Sequence, residues 1–522
     1  MITKNFVKFG ALVVLLVLSG GASFIMTNNK SLDEDSTLRL YAGFADPIEL
    51  ADPRKIQYRT EFNFLRMLYS PLISFEATGA LSSGLAEDFY WNGSEAHFHL
   101  RPNARTSKGQ PITVDDVIST FSRLGMKQGG THGSLFDLLC GAQSSHENCI
   151  GITRVTDLHF FLKFPRQSEF LFKLLSSMDY VIIPKNAIDP TTSEIIDHSN
   201  TTGPYWIETQ TNNDKTILKA NKTHWQWNQK MPDVVEIIYN DPSKDKITPL
   251  EKVFERLLSN EISLIPTYAF IPHQKLAEFV DSQRDKINLH QTDQISIEHL
   301  RTTENAKEFD QPTLRYILSL VKKEYTKNLL ASALASKAGA DFSQSTDQFF
   351  HPRSIGGLEQ DQIETLSSLP VKSPKTTRTR KLRIGCSQNL KSRYEKRLGD
   401  SLRFVEIVEL RSVEMRREVD AYFAETDSGF IEDISQIYFI ASMGLLPINK
   451  TETESFLLSY VSELKIENRM RLLREMHFQM LKEMSVVPLV TKPYFALTNK
   501  KWQMSLPIFQ AGTPIWGITR SN

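Results

Sequence analysis

Cysteine and histidine are the residue types whose spacing first suggests chemistry in this chain. Cys140 and Cys149 sit in the run LLCGAQSSHENCIG, where Gly, Ser and Asn leave the backbone free to fold back on itself. In an oxidising compartment such a pair closes a local disulfide loop worth about 2–3 kcal/mol through loop-closure entropy. Kept reduced, it is two unpaired thiols. Cys386 lies in Leu382-Arg383-Ile384-Gly385-Cys386 and reads as a buried free thiol in a strand rather than a nucleophile. Three cysteines without a C-x-x-C pair argue against structural zinc. His97 and His99 stand two apart on the polar face of a strand, a geometry compatible with a metal ion. The sequence holds no G-x-x-x-x-G-K-[ST] phosphate loop, no G-x-S-x-G elbow, no H-E-x-x-H and no calcium loop.

The elements that must position these groups alternate between strand and helix. Thr37–Gly43 reads as a first strand. Over residues 52–72, Phe64, Leu65, Leu68 and Leu72 recur at helical spacing and predict a helix. Ala96-His97-Phe98-His99-Leu100-Arg101 alternates and predicts a half-buried strand. Thr113 can cap the next helix, with Asp115 and Asp116 at its positive end. A strand–helix pattern covers 159–175, and strands are expected at 180–184, 216–220 and 234–239. Thr202-Gly203-Pro204-Tyr205 is a turn entering another strand. A helix is expected at 249–258 and strands at 382–386 and 402–410. Residues 340–380, rich in Ser, Thr, Gln, Pro and Lys, read as a long surface loop with short helices. Residues 469–484 form an amphipathic helix with Leu472, Leu473, Met476, Met480 and Leu481 on one side, followed by a strand at 486–490. There is no internal repeat, and the mixture predicts an α/β protein.

The 522 residues carry 61 basic and 61 acidic side chains. That balance gives no electrostatic footprint for nucleic acid or anionic lipid. Apolar residues make up 40% and charged residues 23%, as in ordinary globular proteins. At the N-terminus, Lys4 and Lys8 precede the apolar run 9–18, and Ser19, Gly20, Gly21, Ala22 and Ser23 follow. This pattern predicts an export signal over residues 1–23. An uncleaved N-terminal anchor is the other reading, if the apolar stretch runs on to Met26.

Several short motifs recur in one order. Tyr69-Ser70-Pro71-Leu72 precedes Gly84-Leu85-Ala86-Glu87, then Phe98-His99-Leu100-Arg101-Pro102 and Thr113-Val114-Asp115-Asp116-Val117. Thr202-Gly203-Pro204-Tyr205, Asn221-Lys222-Thr223-His224-Trp225 and Pro312-Thr313-Leu314-Arg315 follow, with Arg469 and Pro488-Leu489 last. Together, over roughly residues 38–500, they resemble extracellular solute-binding protein family 5, the dipeptide/oligopeptide-binding proteins of ABC importers.

The resemblance implies a two-lobed periplasmic-binding-protein fold of type II, in its large three-subdomain variant, with two crossing hinge strands near 288–294 and 491–495. Lobe I would be residues 38–290 with an extra subdomain at about 54–200. Lobe II would be 291–490, and 491–522 would return to lobe I. It further implies that Asp433, in Gly429-Phe430-Ile431-Glu432-Asp433, meets a ligand ammonium through a charge-assisted hydrogen bond. Phe430 stands where the family has Trp, and Ile434-Ser435-Gln436-Ile437 replaces its Y-P-D-P. Asp433 as a helix cap is the competing role, and Asp427 is the second candidate for the amine. After Asp52-Pro53, the stretch Gln57-Tyr58-Arg59 matches the strand edge offered to a ligand backbone. Arg59 either pairs a ligand carboxylate or is a solvated surface residue. His97 and His99 fall within the structural motif and read as solvent-facing, so no metal ligand and no cofactor are assigned. The implied protein is a monomeric, periplasmic, non-enzymatic binder of a short peptide or similar small solute. Its partners are ABC transporter permease subunits, and nucleic acid is excluded. A ligand sensor or adaptor of the same fold, uncoupled from transport, is the alternative.

Overall fold

Val- and Ile-rich runs bounded by turn residues pair into sheets, as their β propensity requires. The computed structural model describes residues 36–43, 52–55, 59–75, 80–125, 151–164, 167–168, 170–176, 178–211, 215–239, 250–266, 273–333, 343–374, 380–387, 390–412, 414–427, 450–504 and 517–521. One sheet has seven strands in the order Tyr205–Thr211, Lys215–Ala220, Val234–Tyr239, Thr37–Gly43, Leu264–Ile265, Phe495–Asn499, Ile287–Gln291. A second has six, in the order Gln344–Ser345, Val486–Lys492, Ser296–Thr302, Ala421–Asp427, Leu382–Ser387, Val405–Leu410. The chain passes from the first sheet to the second between Gln291 and Ser296, and back between Lys492 and Phe495. The two crossings hold each other. The Thr292 N–H donates to the Tyr494 carbonyl at 3.0 Å, and the Tyr494 N–H donates to Thr292 Oγ1 at 2.8 Å. This is the two-lobed architecture with two crossing strands that the sequence predicts.

A third, antiparallel sheet joins Ala86–Asn92, Glu95–Leu100, His159–Lys163 and Gly151–Arg154. Its inner face buries Phe98, Phe160 and Leu162 against Val117 and Phe121 of helix Val114–Gly125. The cluster does not stop there. It continues through Leu171, Phe172 and Leu175 to Leu457, Tyr460 and Val461 of helix Lys450–Ser462, and on to Leu473 and Met480 of helix Ile466–Lys482. A buried hydrogen bond from Ser168 Oγ to the Val461 carbonyl, 2.6 Å long, crosses the same boundary.

The motif residues are seen to shape turns. At Gly84 an added Cβ would lie 2.5 Å from the Pro71 carbonyl oxygen, and at Gly203 it would lie 2.5 Å from the Met67 carbonyl oxygen. Both glycines let backbone approach backbone at the end of helix Arg59–Leu68. Arg101 Nε donates to the Gly84 carbonyl at 2.7 Å and fixes the first of these turns. Asp115 and Asp116 divide their work. Asp115 accepts from Arg154 at the surface, whereas Asp116 is buried and accepts the backbone N–H groups of Thr113 and Lys185, both at 2.8 Å. Burial raises the Asp116 carboxyl against the pull of those two bonds. Asp52, ahead of the first helix, accepts from Arg123 Nη2 at 2.5 Å and from Arg54 Nη2 at 3.1 Å. Burial alone would raise its pKa, but the two guanidinium groups outweigh burial and hold the carboxyl below its ordinary value.

Some expectations need correction. The first helix covers Arg59–Leu68 rather than 52–72, because Leu72 lies beyond its end beside the strand Ser70–Pro71. The strand expected at 180–184 is Val181–Ile182. Residues 340–380 are not a surface loop throughout, since Phe349 and Phe350 join the core. Buried His477 pins that turn by accepting the Phe349 N–H at 2.9 Å and contacting the Gly356 carbonyl through Nδ1 at 2.8 Å. His97, expected in solvent, is only 8% exposed. Cys386 is the buried free thiol foreseen, its pKa raised to about 11 by burial and by the charge of Glu409. Cys140, Cys149 and residues 1–23 lie outside the described residues. Among the described residues, no helix is long and apolar enough to cross a membrane.

Two outcomes follow from these packing facts. Gly203→Ala forces a methyl into backbone and should lower unfolding free energy by about 1–3 kcal/mol in urea titrations, the usual cost of overpacking. A variant as stable as the parent refutes the close-approach reading. Four histidines are held neutral: burial lowers His224 and His299 to about 3, helped by Arg101 and Arg301 respectively, and lowers half-buried His290 and buried His477 to about 4. The unfolded chain takes up these protons near pH 6.5, so below that value it binds more protons than the folded one. Stability should therefore be full above about pH 6.5 and fall by on the order of 1 kcal/mol per pH unit for each such histidine as pH drops toward 4. Chemical unfolding at pH 7 and pH 5 measures it, and His477→Gln should flatten the slope.

Candidate functional site

The strand directions locate a site before any side chain is considered. In the first sheet, Thr37–Gly43 runs parallel to Val234–Tyr239 and to Leu264–Ile265. Register through Ile265↔Leu497 and Gln291↔Phe495 brings the carboxyl ends of these three strands to the crossing end of the sheet. In the second sheet, Leu382–Ser387 runs parallel to both Val405–Leu410 and Ala421–Asp427. Asp427 pairs with Ser296, which also pairs with Lys492, so these carboxyl ends face the crossing as well. Ligands of open α/β sheets bind outside the carboxyl ends of parallel strands. Here two such edges meet at one hinge.

The predicted site residues divide accordingly. Asp427 closes the strand Ala421–Asp427 opposite Ser296, described through its backbone alone. Gly429, Phe430 and Asp433 lie just beyond it, outside the described residues. Gln57 and Tyr58 are outside them too, and Arg59 opens helix Arg59–Leu68 with only its backbone described. Both predicted segments thus follow strands whose carboxyl ends face the crossing: Thr37–Gly43 in one sheet, Ala421–Asp427 in the other.

The described side chains at this edge form a charged network that the sequence reading did not name. Ser296 Oγ donates to Glu425 at 2.5 Å. Lys492 Nζ lies 3.2 Å from Glu298 and 3.3 Å from Glu425. The Tyr325 hydroxyl donates to Glu298 at 2.5 Å and accepts from Arg397 at 2.6 Å. Burial would depress the Lys492 ammonium, but the two carboxylates outweigh it and raise its pKa, so Lys492 stays charged. Burial, with Glu298 beside it, keeps the Tyr325 hydroxyl protonated as a donor. The only sequence signal was a Glu and a Lys inside apolar strands, at ISIEHL and VVPLVTK. Beside this network the crossing borders a recess of about 260 Å³ lined by Thr292, Asp293, Gln294, Thr346, His351 and Thr491 among others. Asp293 pairs there with Arg353, and the His351 ring, its pKa lowered by burial, stands 3.8 Å from the same carboxylate. A lining so polar suits a ligand that brings hydrogen-bonding groups rather than hydrocarbon.

Known proteins agree with this geometry. Residues 80–330 match the model of the bacterial extracellular solute-binding proteins, family 5. The periplasmic oligopeptide-binding protein OppA of Salmonella typhimurium is 24% identical over 298 residues, 54% of this chain and 52% of that protein. The chain therefore matches about half the length of that relative. The structure resembles NikA of Brucella suis in complex with Fe(III)-EDTA, with a TM-score of 0.71 at 13% identity over 93% of this chain and all of that one (100%). It also resembles the periplasmic binding protein DppA of Helicobacter pylori in complex with the peptide STSA, with a TM-score of 0.68 at 15% identity over 93% of this chain and 98% of the other. These likenesses show the fold, a two-lobed periplasmic-binding-protein architecture. The chain's motifs stand in family order, and residues 80–330, just under half of the chain, match the model of the bacterial extracellular solute-binding proteins, family 5.

Proposed function

We propose that this protein captures short peptides, or a similar small solute, between its two lobes outside the cytoplasm and delivers them to the permease subunits of an ABC importer. The observation that carries the reading is the facing of two sets of strand carboxyl ends across one hydrogen-bonded crossing. Peptide is favoured because OppA and DppA, by their names and the bound STSA peptide, belong to peptide-binding relatives. In this reading residues 1–23 direct export, with cleavage or anchoring as its two forms, and the protein works as a periplasmic monomer. Lobe I comprises 38–290 with 491–522, and lobe II comprises 291–490. Cys140 and Cys149 pair in the oxidising compartment. Gln57–Arg59 offers backbone to the ligand from one side, and Gly429–Asp433 offers a carboxylate from the other. The sensor or adaptor reading draws no support from OppA or DppA, whose printed names are those of periplasmic binding proteins.

The roles are separable by experiment. A pool of di- to pentapeptides should raise the melting temperature of the purified protein, since a ligand at 100 times its Kd adds about 2.7 kcal/mol of stability. If no peptide in the pool shifts the melt, the peptide reading is wrong. Asp433→Asn should weaken binding of free-amine peptides by about 10–100-fold, the range of one charge-assisted hydrogen bond, and leave N-acetylated peptides unaffected. Calorimetry on both peptide classes reads the difference. Equal losses for both assign Asp433 to helix capping instead, and an amine-specific loss in Asp427→Asn transfers the role to that residue.

A further inference from the structure

The outer face of the four-stranded sheet carries a side-chain cluster with no part in the cleft. Register places His99 directly opposite His159 on the neighbouring strand, with His97 two residues along the same face and opposite Phe161. The three imidazoles touch. His97 Nδ1 and His159 Nε2 are 3.1 Å apart, and the His99 and His159 rings stack at 4.0 Å. Tyr90 stacks over His97 at 5.2 Å. The opposite face of these strands holds Phe98 and Phe160 in the core, so the histidines are not core residues satisfied by backbone. His99 and His159 are half-buried and reachable from solvent. His97 Nε2 is buried without a hydrogen-bond partner, yet a carboxylate oxygen of Glu95 waits 3.4 Å away.

We infer that His97, His99 and His159 form a binding site for a divalent transition-metal ion of the Zn²⁺, Ni²⁺ and Cu²⁺ class. A His-x-His pair on one strand and a third histidine directly across gathers three nitrogen donors, with His97 and His159 ring centres 5.3 Å apart. Neutral imidazole suits these ions, and three such ligands leave a coordination position to solvent. When His97 ligates through Nδ1, its proton sits on Nε2, and Glu95 is placed to accept it. That is the outer carboxylate that orients metal-bound histidines, and it gives the unpartnered nitrogen a use. As the rings stand, no such group among the described residues is arranged around one point. His99 and His159 must turn about their side-chain bonds, a change of rotamer open to half-exposed residues. The ion then takes the place of the hydrogen bond between His97 and His159.

Calorimetric titration of zinc chloride into the EDTA-stripped full chain tests the site independently of the peptide reading. One equivalent should bind with a Kd of about 1 μM or tighter, and a copper titration should give an electron-spin signal split by imidazole nitrogens. His99→Gln and His159→Gln should each weaken zinc binding by about tenfold or more, and Glu95→Gln by about tenfold through loss of the outer carboxylate. His198→Gln, outside the cluster, should leave it unchanged. Melting curves in EDTA check that the variants fold, and the zinc-dependent rise in melting temperature should disappear in them. Zinc affinity weaker than about 100 μM, or an affinity that His99→Gln and His159→Gln leave intact, overturns the proposal.

Discussion

Two short crossings decide what this molecule can be. Between Gln291 and Ser296, and between Lys492 and Phe495, the chain must span from one sheet to the other in a few residues. One backbone bond, from the Thr292 N–H to the Tyr494 carbonyl, joins the crossings, while Asp293 accepts the N–H groups of Gln294 and Ile295 within the first. Thr292 serves twice, through its N–H and its hydroxyl, with Tyr494 as the partner in both bonds. A backbone N–H left unpaired there would cost about as much as a lost hydrogen bond. The pair therefore fixes the geometry at the point where the chain passes between the two sheets. Everything assigned to the cleft hangs on that arrangement, because strand ends that face one another define it.

The charge network beside the crossing shows how the second sheet tolerates polarity near its edge. Glu298 lies in a buried strand and would be unstable alone. Lys492, Tyr325 and Arg397 surround it from three other elements, and Ser296 ties Glu425 into the same group. Removing Lys492 leaves the buried Glu298 carboxylate without its nearest cation, a larger loss than the bond itself. The network accordingly acts as a fixed electrostatic floor beneath the strand ends rather than as a movable ligand-binding group.

The fold was largely legible in the sequence, and the reasons are local. Alternation at 95–100 and apolar-rich runs at 37–43 and 234–239 specify strands without help from the rest of the chain. Gly84 and Gly203 are legible as motif residues, yet their purpose appears only in three dimensions, where each meets backbone from another segment. The burial of His97 escapes the sequence for the same reason. His97 and His99 are visible as a pair, but the third member, His159, is brought beside them by strand pairing that spacing cannot reveal. The turn at Phe349–Phe350 looked polar because its composition is polar, and the His477 clamp that draws it inward comes from a helix far along the chain. The site was legible only through resemblance. Glu298 and Lys492 carry no motif, and their partnership depends on adjacent strands.

The contact between Ser168 and Val461 bears on how the lobes swing. It sits in an apolar cluster shared by the four-stranded sheet and the helices that pack beside the second sheet. A rotor held at one axle turns freely; one held also at its rim does not. With the crossing as axle and this contact as rim, rotation has two routes. Either the buried bond and its apolar surround rupture with each excursion, or the small sheet is carried along with the second sheet and the real axis shifts to the strands and turns around Gly84 and Gly203. By either route the small sheet is tethered on two sides, through the turns at Gly84 and Gly203 and through the Ser168–Val461 contact.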